Sequence, residues 1–404
     1  MRDIDLFQQA LALPQPWYVE RSTFDAGNRR LDLYLDFEVG GTFACPECGA
    51  LGCKAYDTSE KSWRHLNFFQ HEAYLHARVP RVQCGACGVK LVEVPWARAG
   101  SGFTLLFEAI VLMLVKSMTV AETARFLGEH DTRIWRIVHH YVDQARAEAD
   151  YSQVRKVGMD ETASKRGHNY ITLFVDLERS RLLFATEGRD ADTLQAFRAD
   201  LEAHGGQAEA VEEVCLDMSP AYQKGVVDQF PHAHITFDKF HLLKLMNEAV
   251  DQVRREEQPY TPQLKDTRYL WLKNPLDLTE RQMARYDALW HQHMKTVRAY
   301  HLRLSLQDLW TQPSHLAEAF LKKWHSWAVR SRLAPIVAFA RTVRRHWDGV
   351  LHWFQSRISN GVLEGMNSLI QAAKAKARGY RTTRNLIAIA YLIAGKLQLR
   401  TLPI

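Results

Sequence analysis

The sequence has no long apolar run, no segment typical of a secretory leader and no glycine-rich phosphate loop. The longest apolar stretches, Ile110–Val115 and Leu386–Gly395, fall short of the roughly 20 residues that a membrane-spanning helix requires, so we expect no membrane partner. The N-terminal MRDIDLFQQA carries acids early and lacks an apolar core, so we expect no secretory signal and a cytoplasmic location. Without a phosphate loop, a Rossmann or nucleotide-triphosphatase interpretation lacks its main support.

The composition is that of a folded protein with a slight basic excess. The 404 residues are 47% apolar and 24% charged, which excludes intrinsic disorder and suggests two to four domains. The net charge of +6 is a weak indication of an anionic partner. The basic residues are concentrated between Arg341 and Arg384, where the acids are Asp348 and Glu364.

Four of the six cysteines form two matched pairs, Cys45-Pro-Glu-Cys48-Gly and Cys84-Gly-Ala-Cys87-Gly. In a reducing compartment disulfides are disfavoured, and two such pairs can close a tetrahedral four-sulfur zinc site. A glycine after each second cysteine suits a tight turn. The alternative is a set of free buried thiols. We expect a structural Zn²⁺ held by Cys45, Cys48, Cys84 and Cys87, because a closed four-cysteine site has no open position for chemistry.

The segment between the cysteine pairs alternates apolar residues with His and Arg, which predicts short strands that link the two knuckles. The alternating apolar residues are Ala73, Leu75, Ala77 and Val79. The remaining cysteines, Cys53 and Cys215, are interpreted as ordinary small apolar residues.

A helix-turn-helix is predicted next. Phe103–Val115 is typical of an apolar helix, Thr119 and Glu122 form a capping box for a second helix that ends at Gly128, and Asp131 can cap a third. The apolar stripe of the third helix consists of Ile134, Ile137, Val138, Tyr141 and Val142.

The outward residues of the third helix suit DNA phosphates and base edges in a major groove. They are Thr132, Arg133, Arg136 and His140. The alternative is an ordinary helical hairpin with a solvated charged face.

An alternating α/β region follows Tyr151. Its predicted strands are Val154–Asp160, Tyr170–Asp176, Leu182–Ala185, Val211–Asp217 and His234–Phe237, and its helices are Arg189–His204 and Pro220–Phe230. Three strands in a meander, followed by helix, strand, helix and strand, is the order of an RNase H-like α/β domain.

Two aspartates end the first and fourth predicted strands. These strands are neighbours in the expected topology, so Asp160 and Asp217 would converge at one edge of the sheet. Two hard oxygen ligands favour Mg²⁺, which prefers carboxylates, waters and substrate phosphate. The alternative is that each Asp is a turn or cap residue.

From His241 to Phe354 the pattern predicts an all-helical insertion, in which seven tryptophans pack between helices. A further helix then opens around Glu364, with Asn367, Gln371 and Lys374 on the same face. On this basic face Glu364 is placed to help hold a metal while its neighbours grip phosphates. The alternative is a first-turn acid that complements the helix dipole.

The ordered set of motifs resembles the ISL3 group of bacterial insertion-sequence transposases over nearly the whole chain. After the cysteine knuckles and the helix-turn-helix come Gly158-Met159-Asp160-Glu161, Leu216-Asp217-Met218-Ser219-Pro220-Ala221-Tyr222, Asp238-Lys239-Phe240-His241 and Asn360-Gly361-Val362-Leu363-Glu364-Gly365-Met366-Asn367. Each motif is modest alone, whereas their order is specific.

The resemblance implies an RNase H-like domain interrupted by a helical insertion. Asp160, Asp217 and Glu364 match the family's DDE triad for two Mg²⁺ or Mn²⁺ ions, and Asp238 and His241 match an accessory D-x-x-H element. Water would free a 3′-hydroxyl at each element end, and that hydroxyl would attack target DNA in line. The implied partners are the terminal inverted repeats and target DNA, bound by a homodimer or larger assembly in a bacterial nucleoid.

The predicted organisation is a zinc module (1–100), a helix-turn-helix (101–150), the first catalytic part (151–240), the helical insertion (241–355) and the last catalytic part (356–404). In the last part we expect DNA contacts from Asn367, Lys374, Lys376, Arg378 and Arg381. Two other functions stay open at this point, a non-catalytic DNA-binding regulator and a metal-dependent nuclease.

Overall fold

The structure is a computed structural model that describes residues 3–165, 167, 169–358 and 361–400. It divides into two compact units, one that extends to Ala145 and one that comprises Arg146–Leu397. Within the described residues, no helix is both long enough and apolar enough to cross a membrane.

The first unit combines one sheet with four helices. Its strands are β1 (Trp17–Asp25), β2 (Arg30–Phe37), β3 (Thr42–Phe43), β4 (Cys53–Phe68), β5 (His71–Cys84) and β6 (Gly88–Leu91). Its helices are α1 (Asp3–Leu11), α2 (Leu105–Ser117), α3 (Val120–Leu127) and α4 (Asp131–Ala147), the last of which runs two residues past the division.

The sheet of the first unit has the strand order β1-β2-β5-β4-β3, with β6 paired to β5. Ala73, Leu75, Ala77 and Val79 are all buried, as the alternation predicts. The prediction of short strands is wrong, because β4 has 16 residues and β5 has 14. They form one long antiparallel ladder whose inward face is covered by aromatic side chains such as Trp63 and Trp96.

The three predicted helices of the helix-turn-helix are present. Thr119 and Glu122 form the reciprocal capping box, and Gly128 ends α3 in the left-handed conformation at φ +69°. The whole apolar stripe of α4, from Ile134 to Val142, is buried. These helices belong to the same compact unit as the sheet, since the backbone N–H of Arg64 donates to Gly102 and that of Thr104 donates to Arg64.

The second unit is built on a five-stranded sheet with the order β11-β10-β7-β8-β9. Its strands are β7 (Lys156–Lys165), β8 (Asn169–Asp176), β9 (Arg181–Glu187), β10 (Glu213–Leu216) and β11 (His234–Phe237). As predicted, the first and fourth strands of this region, β7 and β10, are parallel neighbours.

The prediction that Asp160 ends its strand is wrong. The parallel partner β10 pairs with β7 only as far as Gly158, whereas the antiparallel partner β8 continues to pair with it through Lys165. Asp160 therefore lies in the middle of β7, just beyond the point where the strand loses its parallel neighbour. Asp217 directly follows β10.

The rest of the second unit is helical. Its helices are α5 (Asp192–Ala203), α6 (Pro220–Gln229), α7 (Lys239–Glu257), α8 (Arg268–Leu272), α9 (Glu280–Trp290), α10 (Lys295–Gln307), α11 (Ser314–Val329), α12 (Ala334–Arg345), α13 (Trp347–Ser356), α14 (Gly361–Lys376) and α15 (Thr383–Ala394). Short 3-10 turns occur at Ala208–Ala210, Gln258–Tyr260, Pro262–Leu264, Pro275–Asp277 and Asp308–Thr311.

Most of the predicted tryptophan packing is present between α7 and α13. Trp271, Trp324 and Trp347 are buried in the core. Trp327 is an exception, because it lies on the solvent side of α11 with 45% of its surface exposed.

Packing of α14 on β7 generates the first prediction. A Cβ at Gly158 would lie 2.6 Å from the side chain of buried Leu363, next to Glu364. We expect Gly158→Ala to lower the free energy of unfolding by about 1–2 kcal/mol through overpacking, measured by urea denaturation.

Gly365→Ala is the matched control, since its Cβ meets nothing within 4 Å and the residue lies inside a helix. It should raise the free energy of unfolding by about 0.8 kcal/mol. Equal stability of the two variants would contradict close packing of α14 on β7.

Candidate functional site

The four paired cysteines converge on one point in the first unit. The Sγ atoms of Cys45, Cys48, Cys84 and Cys87 all lie within 4.8 Å of one another. The first pair lies in the turn between β3 and β4; of the second pair, Cys84 ends β5 and Cys87 lies in the turn before β6. Gly49 and Gly88, the glycines after each pair, have φ values of +74°, as the tight turns require.

Zinc binds cysteine as the thiolate, and the surroundings shift two of the four thiols in opposite directions. Hydrogen bonding with Cys48 and burial raise the pKa of Cys87 to about 12. The backbone N–H groups of Cys87 and Ala86 lower the pKa of Cys84 to about 6. Cys53 lies beside the cluster. Burial and the charges of Cys84, Cys45 and Cys48 therefore raise its pKa. It is nevertheless outside the group of four, so the donor set fits one tetrahedral Zn²⁺.

The exposed face of α4 carries three of its four predicted DNA contacts. Thr132, Arg136 and His140 are exposed. The guanidinium of Arg133 donates to Glu129 at 2.5 Å and lies 4.1 Å from the centre of the Phe103 ring, yet the side chain is 41% exposed. It therefore stabilises the start of α4, and its contact with DNA stays a prediction.

The predicted catalytic aspartates, Asp160 and Asp217, line one cavity of about 660 Å³ in the second unit. β7 contributes Asp160 and Glu161, the end of β10 contributes Asp217, and α7 contributes His241 and Lys244. The parallel pairing of β7 with β10 explains why two aspartates 57 positions apart in the numbering share this cavity.

The surroundings of Asp160 disfavour its charged form. Burial raises its pKa, and the negative charges of Asp217 and Asp238 add to the rise. Its Oδ1 accepts a hydrogen bond from the N–H of Glu161 at 2.8 Å. Asp217 accepts a hydrogen bond from the N–H of Ser219 at 2.8 Å, so it also stabilises the turn that precedes α6.

Asp238 and His241 act together at the start of α7. Asp238 is buried, caps the helix by accepting from the N–H of Phe240 at 3.1 Å, and lies 3.1 Å from the Nδ1 of His241. This hydrogen bond raises the pKa of His241, and the charge of Asp160 adds to the rise. His241 lines the cavity, with Asp238 behind it.

Helix α14 is fixed to β7 by side chains on one face. The Nδ2 of Asn367 donates to the Oδ2 of Asp160 at 2.7 Å. One and two turns later, Gln371 Nε2 donates to Ala163 O at 3.0 Å and Lys374 Nζ donates to the same carbonyl at 2.5 Å. The predicted common face of this helix therefore packs on the strand that carries Asp160.

Glu364 lies in the first turn of α14, is exposed, and is not among the residues that line the cavity. Within the described ranges, the cysteines are the only group of three or more His, Cys, Asp or Glu side chains with ligand atoms close enough to share a metal ion. The structure thus brings Asp160 and Asp217 together and leaves the Glu364 side chain outside. Ser359 and Asn360 of the same motif lie outside the described residues.

The predicted DNA contacts of the last catalytic part divide into two groups. Lys374 and Asn367 are engaged with β7, whereas Lys376, Arg378 and Arg381 are exposed.

Sequence reasoning missed several residues of the cavity. Lys244 and Glu248 line it at three and seven positions after His241, a helical spacing that is visible in the sequence. Glu161 also lines it and accepts a hydrogen bond from the buried Tyr222 hydroxyl at 2.8 Å. Only the fold reveals that contact, because it joins β7 to α6.

Three family models match the chain in the order of the two units. A zinc-finger of transposase IS204/IS1001/IS1096/IS1165 matches residues 41–87, and a helix-turn-helix domain of transposase family ISL3 matches residues 92–142. A model described as a transposase of the DDE type and the ISL3 group matches residues 157–390, which is more than half of the chain.

Two curated relatives match most of this chain. The transposase for insertion sequence element IS1557 from Mycobacterium tuberculosis is 29% identical over 432 aligned positions, which cover 97% of this chain and 96% of the relative. The transposase for insertion sequence element IS1001 from Bordetella parapertussis is 29% identical, over 87% of this chain and 89% of the relative.

A solved chain from the simian T-cell lymphotropic virus intasome in complex with PP2A regulatory subunit B56 gamma matches with 14% identity, over 48% of this chain and 74% of that one. Its TM-score of 0.17 is too low to support an argument about fold.

The cysteine cluster yields a prediction about metal content. We expect Cys84→Ser to lose the bound zinc, because it removes one of four thiolates from a closed site. Cys53→Ser is the matched control and should keep one zinc ion per chain. Zinc per chain is measured by atomic emission on protein purified without chelators. Equal loss of zinc from both variants would show that Cys53 is a ligand, contrary to the assignment.

Proposed function

The chain belongs to the ISL3 family of transposases, and from that premise we propose that it binds the terminal inverted repeats of its insertion sequence, cleaves the DNA at the element ends and joins the freed 3′-hydroxyls to target DNA. The observation that carries the proposal is the convergence of Asp160 and Asp217 in one cavity, with α14 attached directly to Asp160. This is the arrangement that a metal-dependent phosphoryl-transfer site requires.

We propose Asp160, Asp217 and Glu364 as the carboxylates that hold divalent Mg²⁺ or Mn²⁺. Asp160 and Asp217 fit as two hard oxygen donors in one cavity, and burial, with the charges of Asp217 and Asp238, raises the pKa of Asp160. When bound, the metal would supply charge neutralisation at the scissile phosphate and a more acidic water nucleophile. The chain's own task is to orient these carboxylates and to position the DNA.

The place of Glu364 on α14 supports its inclusion. It precedes Asn367 by three residues, so the two side chains leave the same side of the helix about 4.5 Å apart along its axis. Because Asn367 bonds Asp160, the Glu364 backbone lies about one helical turn from that contact. In this proposal a rotation of the exposed Glu364 side chain completes the set of ligands.

Asp238 and His241 have a supporting role in the proposal. The hydrogen bond that Asp238 accepts from the Nδ1 of His241 fixes the ring at the wall of the cavity, where its charge lies near Asp160. His241 then acts as a cationic contact for phosphate oxygens, and Asp238 positions it.

We further propose that the second unit is an RNase H-like domain, with the helices from α7 to α13 as an insertion before Glu364. The sheet order and the parallel pairing of β7 with β10 support this assignment. The first unit would recognise the element ends through its zinc ribbon and the exposed face of α4. Cleavage of two ends calls for a homodimer or larger assembly.

The carboxylates provide the test of this function. We expect Asp160→Asn, Asp217→Asn and Glu364→Gln each to abolish Mg²⁺-dependent nicking and joining of labelled element ends while end binding stays within about twofold. Asp228→Asn, which changes an exposed acid on α6, is the matched control and should remain active.

The outcomes distinguish the alternatives. Intact, zinc-loaded protein that binds the ends but never cuts them would indicate a regulator. Cutting without covalent donor–target products would indicate a nuclease.

Asn367 provides a second test. Its amide is the described contact between α14 and the Asp160 carboxylate, and its Oδ1 is buried without a hydrogen-bond partner in the described structure. We expect Asn367→Leu to lower the cleavage rate by about 10- to 100-fold and to raise the Mg²⁺ concentration for half-maximal rate, because the Asp160 carboxylate loses the hydrogen bond that orients it.

Ser368→Ala, an exposed neighbour on the same helix, is the control for Asn367→Leu. An unchanged Mg²⁺ dependence in Asn367→Leu would contradict the positioning role of the amide.

A further inference from the structure

A second cavity, of about 570 Å³, lies beside the candidate active site. The end of β7 supplies Ser164 and Lys165, the segment after β9 supplies Arg189, and the connection between α14 and α15 supplies Arg381 and Thr382. We call it the hairpin cleft. Tyr170 on β8 lines both this cleft and the cavity that holds Asp160 and Asp217, so the two are adjacent.

The charge of the hairpin cleft is predominantly positive. Among the described residues that line the cleft, three cations, Lys165, Arg189 and Arg381, come from three separate segments and meet one acid, Glu187. In the part of the chain that the structure describes, neither arginine has a carboxylate partner within salt-bridge distance. Unpaired guanidinium groups on the walls of a cleft attract and can bind anions bidentately.

The contacts that hold the walls of the cleft together involve a backbone oxygen and an aromatic ring, so they do not neutralise the positive charges. Lys165 Nζ donates to the backbone oxygen of Arg381 at 3.1 Å, which joins the β7–β8 hairpin to the connection after α14. The guanidinium of Arg189 lies 5.3 Å from the centre of the Tyr170 ring. Thr382 caps α15, so the positive end of that helix dipole also lies at the cleft.

We propose that the hairpin cleft binds backbone phosphates of the DNA strand that continues from the scissile bond. This proposal rests on the proposed function, because the scissile phosphate is placed at Asp160 and Asp217. Lys165 follows Asp160 by five residues on β7, which places it about 16 Å farther along the strand. That span corresponds to about five phosphates of a B-form strand.

This geometry gives the two ends of one hairpin different tasks. The part of β7 near the parallel strand carries the acid of the reaction, and its far end carries Lys165, which with Arg189 and Arg381 keeps the DNA strand in line. Because the cations address phosphates, the cleft contributes affinity and register without sequence preference.

The test compares the double variant R189Q/R381Q with the intact chain in DNA binding. Each lost phosphate contact lowers the slope of log association constant against log salt concentration by about 0.9, so the double variant should lose about two units. The probe is a duplex of the element end, measured by fluorescence anisotropy at several NaCl concentrations.

The control variant R198Q/K322Q removes the same net charge from residues that pair with Glu202 and Glu318. It should keep the wild-type slope. Lys165→Gln should weaken binding, and Lys165→Arg should restore it because the charge is kept.

A second measurement locates the contact. Single methylphosphonates, which carry no charge, replace one phosphate at a time around the cleavage position. The intact chain should lose affinity when the change falls within about five phosphates on one side, and R189Q/R381Q should be indifferent to those changes.

The outcomes separate this proposal from the proposed function. If the salt slope of DNA binding changes in R189Q/R381Q but the intact chain never cuts DNA, the result supports phosphate binding by the cleft and contradicts the proposed strand cleavage. If R189Q/R381Q cuts and joins DNA and its binding keeps the wild-type salt slope, the proposed role of the cleft is contradicted and the proposed function stands. An equal slope change in R198Q/K322Q likewise contradicts the cleft, since the effect would then come from net charge alone.

Discussion

The hydrogen bond from Asn367 to Asp160 is the interaction on which the account of the second unit depends. It joins residues 207 positions apart and sets α14 against the middle of β7. Gln371 and Lys374 extend the same contact along the strand, and Leu363 fills the space above Gly158. Any displacement of α14 would therefore move Glu364 relative to the two aspartates.

The sheet supplies the other half of this arrangement. β10 stops pairing with β7 at Gly158, and Asp217 leaves the sheet at that point while β7 continues as half of a hairpin. One strand thus presents an acid, Asp160, near its parallel neighbour and a cation, Lys165, at its far end. The candidate active site and the hairpin cleft follow from this single difference in strand length.

Much of this could be predicted from the sequence, because it depends on local rules. The capping box at Thr119, the apolar stripe of α4 and the cysteine pairs are short-range patterns with a defined geometry. The order of strands likewise predicted that β7 and β10 would be neighbours, as the structure confirms.

The errors arise where distant partners decide the outcome. The antiparallel pairing with β8 extends β7 past Asp160, and periodicity alone does not reveal which partner continues. Arg133 has a helical position typical of a DNA contact, and only the fold reveals that its guanidinium also lies over the Phe103 ring. The amide of Asn367 resembled a phosphate contact in the sequence, and only the fold shows its attachment to Asp160.

The central claim is that three carboxylates, two fixed in the cavity and one on α14, share divalent metal. Anomalous diffraction from crystals of the full chain soaked in Mn²⁺ tests it most directly. The account predicts a manganese peak with carboxylate oxygens of Asp160, Asp217 and Glu364 at about 2.0–2.2 Å, the range for hard cations of this size. A peak bound by the two aspartates alone, with Glu364 directed into solvent, or no peak at all, would contradict it.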